Sequence, residues 1–460
     1  MPELRVPAPR MLAVVAILAA LLVTAAACGE ANEAPAAPTA THLETTFDVT
    51  PRPGVHVLDA ATVDTGLVTA EPAYGEYRFA ATAEEIRRLQ PGDIVVIPGH
   101  GLGSVRAIFE HAGQLVLRLD DAALDDVIQD GLASWRYDVA WDDVAIDYEQ
   151  IASLPGVTDV EVVYDQPQAT RIGFQEPPPR AATVSFRQSG WEFVVHLEAR
   201  ESRLYFDLTG ELAATSEAAT IATVAASGWV SGFSYVSAMR YAEGVPTTIS
   251  SAVNGLEGET AISWTAYRTP RTTITQAVRV DVPIAIPFII PGPLGIPFSL
   301  QLKATGRIVP DLEAVDSSSG GSWKVAYSSD QGFTLDASSG TVGGGLLANT
   351  IGTTGDTITA GLGPAGFGVG VEFPRFELGV AGRPPFAFIT VEVYSSSRWT
   401  PGTTLTSNIR PCQHSATRLA AVGGYRLDMV GWEGRTQQHT LWERQVDTYL
   451  NKRPCTSSGN

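Results

Sequence analysis

Trp191-Glu192-Phe193-Val194-Val195-His196-Leu197-Glu198 places a large apolar side chain at every second position, Trp191, Phe193, Val195 and Leu197. In an extended strand successive side chains point to opposite faces, so this octet makes one dry face and one mostly polar face. The same alternation returns at Leu204, Phe206 and Leu208, at Phe367, Val369, Val371 and Phe373, and at Ala387, Ile389, Val391 and Val393. Half-buried strands separated by Ser/Gly turns such as residues 317–322 predict a mainly β protein. Its major part, residues 182–460, reads as a large antiparallel β-sandwich or open-barrel-like domain. Only residues 211–226 and 441–451 of that part read as helices, and no repeat of fixed period is present.

Upstream, Gln175-Glu176-Pro177-Pro178-Pro179 locks φ and removes backbone donors at three successive positions, so residues 175–181 read as a Pro-rich linker. Residues 43–174 read as a small α+β module. Thr82 with Glu85 forms a capping-box pattern for a helix that Pro91-Gly92 stops. Strands follow over 93–98, 104–109 and 114–119. A second helix is expected over 121–130, with acids at its start and Gly131 at its end. Residues 154–157 read as a turn into a strand over 159–164. Pro91-Gly92-Asp93-Ile94-Val95-Val96, together with Ala122-Ala123-Leu124 and Asp126-Val127, resembles a small β module that opens many large secreted β-rich bacterial proteins of unknown role. The Pro-Gly-Asp turn is also similar to one in autoprocessing Hint domains, but the nucleophilic cysteine that their chemistry requires is lacking, so that chemistry is not carried over.

At the N-terminus, Arg5 and Arg10 precede an unbroken apolar stretch over 11–23, and Ala25, Ala26 and Ala27 lead into Cys28. This is the grammar of an export signal over residues 1–27, too short in its apolar part to span a bilayer as a helix. The Ala25-Ala26-Ala27-Cys28 stretch resembles the lipobox of bacterial lipoproteins, with alanine where leucine usually stands three residues before the cysteine. The resemblance implies that Cys28 is lipidated and that the protein is held at a membrane of the cell envelope, facing the periplasm or the exterior. Residues 28–42, rich in Ala, Pro, Glu and Asn, read as a flexible tether. In an oxidising compartment Cys412 and Cys455 are left as an even pair, and a disulfide between them is expected; two buried thiols are the alternative.

The chain has 460 residues, a formal charge of −19 and a pI near 4.8, which argues against nucleic acid as a partner. Residues 110–170 hold 14 acids against Arg118 and Arg136 alone. Asp120, Asp121, Asp125, Asp126, Asp142, Asp143 and Asp147 could gather oxygens around Ca²⁺, but their spacing fits no EF-hand, and a solvated surface is the expectation. No metal or cofactor is assigned. The 11 glycines over 340–370 match no phosphate loop, and the last of them alternate with Phe367, Val369 and Val371 as a strand does.

The uncharged run over 282–302 is as long as a membrane span, but Pro283, Pro287, Pro291, Pro293 and Pro297 forbid a regular helix. A hairpin turning around Pro291-Gly292-Pro293 is expected. Its Ile286, Phe288, Ile289, Ile290, Leu294, Ile296 and Phe298 either fill the core or form an apolar lip for a hydrophobic ligand, a membrane or an envelope protein. No catalytic motif has its required context. The best chance assembly is His100 and Ser104 with Asp93 nearby, and His196 lies between Glu192 and Glu198 on one strand. The function expected is therefore a lipid-anchored envelope protein with a binding or structural role. The alternatives are a secreted hydrolase whose site assembles only in three dimensions and a lipid carrier with the hairpin as its mouth.

Overall fold

The computed structural model describes residues 43–141, 146, 151–163, 181–213, 220–268, 276–312, 316–336, 341–360, 364–380, 387–401, 411–426 and 436–449. These residues form a mainly β fold of three sheets. The first strands are β1 (Leu43–Pro51), β2 (Val55–Val57), β3 (Leu67–Glu71), β4 (Glu76–Ala80), β5 (Ile94–Ile97), β6 (Gly101–His111), β7 (Gln114–Asp120), β8 (Ile128–Val139) and β9 (Val157–Val163). Next come β10 (Ala181–Gln188), β11 (Trp191–Arg200), β12 (Arg203–Ala213), β13 (Thr220–Ser231), β14 (Phe233–Ala242), β15 (Val245–Tyr267), β16 (Val278–Pro291) and β17 (Pro297–Asp311). The last are β18 (Ser318–Asp336), β19 (Thr341–Ala360), β20 (Ala365–Val380), β21 (Ala387–Thr400), β22 (Cys412–Arg426) and β23 (Thr436–Tyr449).

The large sheet runs β1-β8-β14-β15-β13-β12-β11-β10-β9, antiparallel throughout. Its pivot is β15, 23 residues long, which carries β14 and β13 end to end on one edge and β18 with β19 on the other. Strands β1, β8 and β9 precede Pro177-Pro178-Pro179 in the chain yet belong to the same sheet as β10–β15. The second sheet, β16-β17-β20-β21-β22-β23, lies face to face with the first. Aromatic pairs lock the two together: Phe206 on Phe373 at 4.2 Å, Phe233 on Phe376 at 4.3 Å and Trp264 stacked on Phe367 at 6.3 Å. Such pairs add about 0.5–1.5 kcal/mol beyond the area they bury. The octet around Phe193 sits in β11 and shows the expected alternation, with Trp191, Phe193, Val195 and Leu197 all buried.

The third sheet, β2-β5-β6-β7-β4-β3, wraps a core of its own that includes Val63, Phe79, Ile86, Val95 and Leu117. The helix expected after Thr82 is present as one turn over Glu84–Arg88, capped by Ala83 without a side-chain bond. The helix expected over 121–130 is not formed. Only a 3-10 turn over Leu124–Asp126 exists, where the Asp126 carboxylate accepts from Ala123 N, and residues from Ile128 onward pair with β1.

The two helices expected in the main domain are also strands. Residues 211–213 and 220–226 belong to β12 and β13, and residues 441–449 to β23. Alanine and glutamate favour helix as isolated residues, but here Ala222, Val224 and Ala226 are buried at period two and both edges of β13 find partners. Tertiary pairing outweighs a propensity difference of less than about 1 kcal/mol per residue.

Glycines in β20 serve packing. The Tyr394 ring lies over Gly368 and Gly370, where any Cβ would collide with it, and Arg307 approaches the same ring at 5.8 Å. At the far side of the sandwich the two sheets are joined by buried hydroxyls. Trp264 Nε1 donates to Ser319 Oγ (3.1 Å), Ser319 and Thr359 share a bond of 2.9 Å, and Thr359 Oγ1 donates to Ser397 Oγ (2.7 Å). Cys412, at the start of β22, is disulfide-bonded; Cys455 lies outside the described residues.

One buried polar group gives a test of sign. The Tyr241 hydroxyl, on a residue only 2% exposed, has no hydrogen-bond partner among the described residues. Burial, and then the charge of Asp125, pushes its phenol far above the ordinary range. Removing an unsatisfied hydroxyl relieves a desolvation cost. Tyr241→Phe is therefore expected to leave stability unchanged or to raise it by up to about 1 kcal/mol, measured as a urea midpoint shift at constant slope.

Candidate functional site

The two sheets of the sandwich meet differently along their two sides. On one side the hydroxyl network joins β18 and β19 to β21 and β22. On the other, the β9–β10 edge of the large sheet faces β16, and a cleft of about 850 Å³ lies between them. A latch crosses its mouth, where Gln188 Nε2 donates to the Arg279 carbonyl oxygen at 2.8 Å.

The cleft has a backbone cause. Along β16 the register with β17 jumps from Val282↔Ala304 to Ile286↔Leu302, so residues 283–285 bulge away and Lys303 has no register partner on that side. The irregularity continues across the sheet: β17 against β20 shifts between Lys303 and Thr305, and β20 against β21 between Glu372 and Arg375. Bulges of this kind re-aim side chains and interrupt pairing, and they concentrate next to binding and catalytic sites. Prolines at 283 and 287 cannot donate to the ladder, which suits them to this broken edge.

Apolar side chains of Leu154, Phe186, Val282, Ile286 and Leu302 line the cleft, with Arg187, Arg279, Lys303 and Arg375 as cations and Asp281 and Glu377 as acids. Glu377 is the buried member, its side chain 8% exposed. Lys303 Nζ reaches its Oε2 at 2.6 Å and Arg375 Nε its Oε1 at 2.7 Å. Burial works against a charge on Glu377, but the bonds from Lys303 and Arg375 and their positive charges outweigh it and hold the carboxyl below its ordinary value. Arg375 also pairs with Glu372 at 3.1 Å and stacks over Phe388 at 3.9 Å. At the rim, Arg187 meets Glu192 at 2.6 Å and Arg279 meets Asp281 at 3.5 Å, all four side chains well exposed.

The charged pattern extends along the free face of the second sheet. Glu372 and Glu392 stand opposite each other on β20 and β21. Burial, and next the facing Glu372, pushes the Glu392 carboxyl up, with Arg418, Arg375 and Arg307 opposing the rise. Arg418 lies 3.6 Å from Glu392 and 3.0 Å from Glu443. Both opposed carboxylates are thus engaged by guanidinium groups, an ion-pair ladder across the strands.

The residues singled out in the sequence fall as follows. In the 282–302 hairpin, Ile286, Phe288, Ile290, Ile296 and Phe298 are buried, Leu294 is half-buried, and Ile289 is exposed. Of these seven side chains, five therefore belong to the core, where an apolar lip would have left them exposed. The hairpin's alternate residues pack on Trp135, Tyr137 and Trp141 of the large sheet, and Gly295 O at its tip accepts from Gly99 N of the small module. Only Ile286, next to the bulge, borders the cleft.

His100, Ser104 and Asp93 do not assemble. The Asp93 carboxylate accepts from Gln90 N and lies 3.6 Å from His56 Nε2, while burial lowers the pKa of His100, whose charged neighbour is Asp64. His196 shares a bond with Thr183 Oγ1, and Glu192 and Glu198 pair instead with Arg187 and Arg200.

Among the acidic residues, Asp120 faces Arg106 and Asp126 caps its own turn; Asp142, Asp143 and Asp147 lie outside the described residues. No group of three or more potential metal ligands occurs among the described residues, and no helix there is long and apolar enough to cross a membrane. Cys28 also lies outside the described residues.

Sequence reasoning missed the cleft because its residues come from five distant segments. The one local signal was the pair of prolines at 283 and 287 inside a strand pattern. Comparison with protein-family models, curated proteins and solved structures finds no match to this chain.

Proposed function

We propose that the chain is an exported, lipid-anchored protein of the cell envelope that binds a ligand without transforming it. The observation that supports binding is the cleft between β10 and β16: about 850 Å³, lined by apolar side chains from both sheets together with charged ones, and opened by a bulge in the edge strand. Pockets of this size and mixed lining are the usual form of small-molecule sites. Its most buried ionisable group, Glu377, is committed to Lys303 and Arg375 and kept charged, which favours a fixed electrostatic surface over proton transfer.

The anchor rests on Cys28 and the alanines before it. Cells expressing the full chain and fed an alkyne-bearing palmitate are expected to label it, Cys28→Ala is expected to abolish the label, and globomycin to accumulate the uncleaved form. Wild-type protein that stays unlabelled overturns the anchor.

A further inference from the structure

We infer that the cleft takes a single-chain amphiphile with an anionic head, the head held by Arg187 and Arg279 and the chain lying along Phe186, Val282, Ile286 and Leu302. This deepens the binding reading above and rests on it.

On a protein of formal charge −19, the cleft gathers four cations against two acids. Lys303 and Arg375 are consumed by Glu377, which leaves the rim arginines. Their present partners, Glu192 and Asp281, are 66% and 77% exposed. Pairs held in water contribute little, so an incoming anion displaces them at small cost. The planar guanidinium fork suits a carboxylate or a phosphate, either of which it binds with two parallel bonds.

Arg187 belongs to β10 of the large sheet and Arg279 to β16 of the second, and the bond from Gln188 Nε2 to the Arg279 carbonyl ties these two strands together at the mouth. The lining also holds apolar side chains from both strands. Phe186, Ile286 and Leu302 are buried residues continuous with the core of the sandwich. A head at the rim with a chain directed inward satisfies both halves of the cleft, whereas a free inorganic anion leaves the apolar half without a partner. Burial of the chain's methylenes supplies most of the affinity, and the arginines select the head.

The test uses the full-length protein and dansyl-undecanoate, whose fluorescence rises on entering an apolar site. The expected result is saturable binding of one probe per chain, displaced by dodecanoate and by dodecyl phosphate. Dodecanol is expected to displace it at least about tenfold less well, and inorganic phosphate not at all. The double variant Arg187→Gln/Arg279→Gln is expected to weaken the probe about tenfold or more, and Glu192→Gln/Asp281→Asn, which frees the same arginines, to tighten it. All four positions are exposed, and an unchanged thermal midpoint confirms that each variant is folded.

Displacement by dodecanol as strong as by dodecanoate, or affinity indifferent to both double variants, overturns the anionic-head assignment while leaving a binding protein. Displacement by inorganic phosphate at the same concentration as dodecyl phosphate overturns the apolar half. Absence of saturable binding by any probe overturns the inference, with palmitate labelling of Cys28 still reporting separately on the anchor.

Discussion

Phe298→Ala is expected to lower the stability of the folded protein by about 3–5 kcal/mol, the usual cost of truncating a fully buried phenylalanine. Phe298 is 0% exposed, its ring lies 5.2 Å from that of Trp135, and it fills the space beside Gly292. It also stands where β17 is paired on both sides, with Ile290 of β16 and Val380 of β20. The hairpin is a strut: its sides pack into the sandwich and its tip bonds to the small module through Gly99 N and Gly295 O at 2.8 Å. Loss of the ring is thus expected to raise hydrogen exchange at both the hairpin and Gly99. Ile289→Ser, at the position just before Ile290 and 50% exposed, is expected to change stability by less than about 0.5 kcal/mol. Urea unfolding followed by tryptophan fluorescence checks the pair, and equal losses from the two variants would show that the hairpin is not packed as described.

The second large effect belongs to Glu377. Glu377→Gln leaves Lys303 without its carboxylate and Arg375 with Glu372 alone. Breaking a fully buried pair costs about 3–5 kcal/mol; because Lys303 is 45% exposed, about 2–3 kcal/mol is expected here. The pH dependence has a definite sign. A carboxyl whose folded pKa lies below its unfolded value contributes stability that is fully present above the unfolded value and is lost as pH falls through the folded one. The difference in stability between the wild type and the Gln variant should therefore be greatest near neutrality and shrink on acidification, beginning in the ordinary carboxylate range. A difference that grows on acidification would place the protonated form, not the carboxylate, in the Lys303–Arg375 pair.

The two predictions touch opposite faces of β17. Inward-facing Phe298, Leu300, Leu302 and Ala304 belong to the core, and outward-facing Lys303 belongs to the charged free face. The bulge over 283–285 is where the ladder between β16 and β17 opens and the cleft forms. A regular hairpin of the same composition would close it.

How much of this was legible depended on whether the information was local. Alternation along Trp191, Phe193, Val195 and Leu197 reports which face of a strand is buried, because the period of two is a property of the extended backbone itself. It correctly gave a mainly β, antiparallel fold. The same rule leaves a choice of two for residues 286–298, core or lip, since periodicity says that alternate residues share a face but not what covers that face. Trp135, Tyr137 and Trp141 cover it, and they lie about 150 residues earlier in the chain. Residues 220–226 misled because their local helix preference is weak compared with two ladders of backbone hydrogen bonds, to β12 and to β15, and residues 441–449 because the ladder to β22 outweighs the same weak preference.

By itself, then, the sequence determined the strand alternation, the main architectural class and the exclusion of a helical span over 282–302, all consequences of backbone geometry and proline chemistry acting over a few residues. Only the tertiary structure decided that the hairpin is core, that His100 and Asp93 stay apart, and that Arg187 and Arg279 share the mouth of one cleft. Those outcomes depend on which strand edges meet, and pairing between segments a hundred residues apart is set by the summed burial of whole sheets, which no short stretch of sequence encodes.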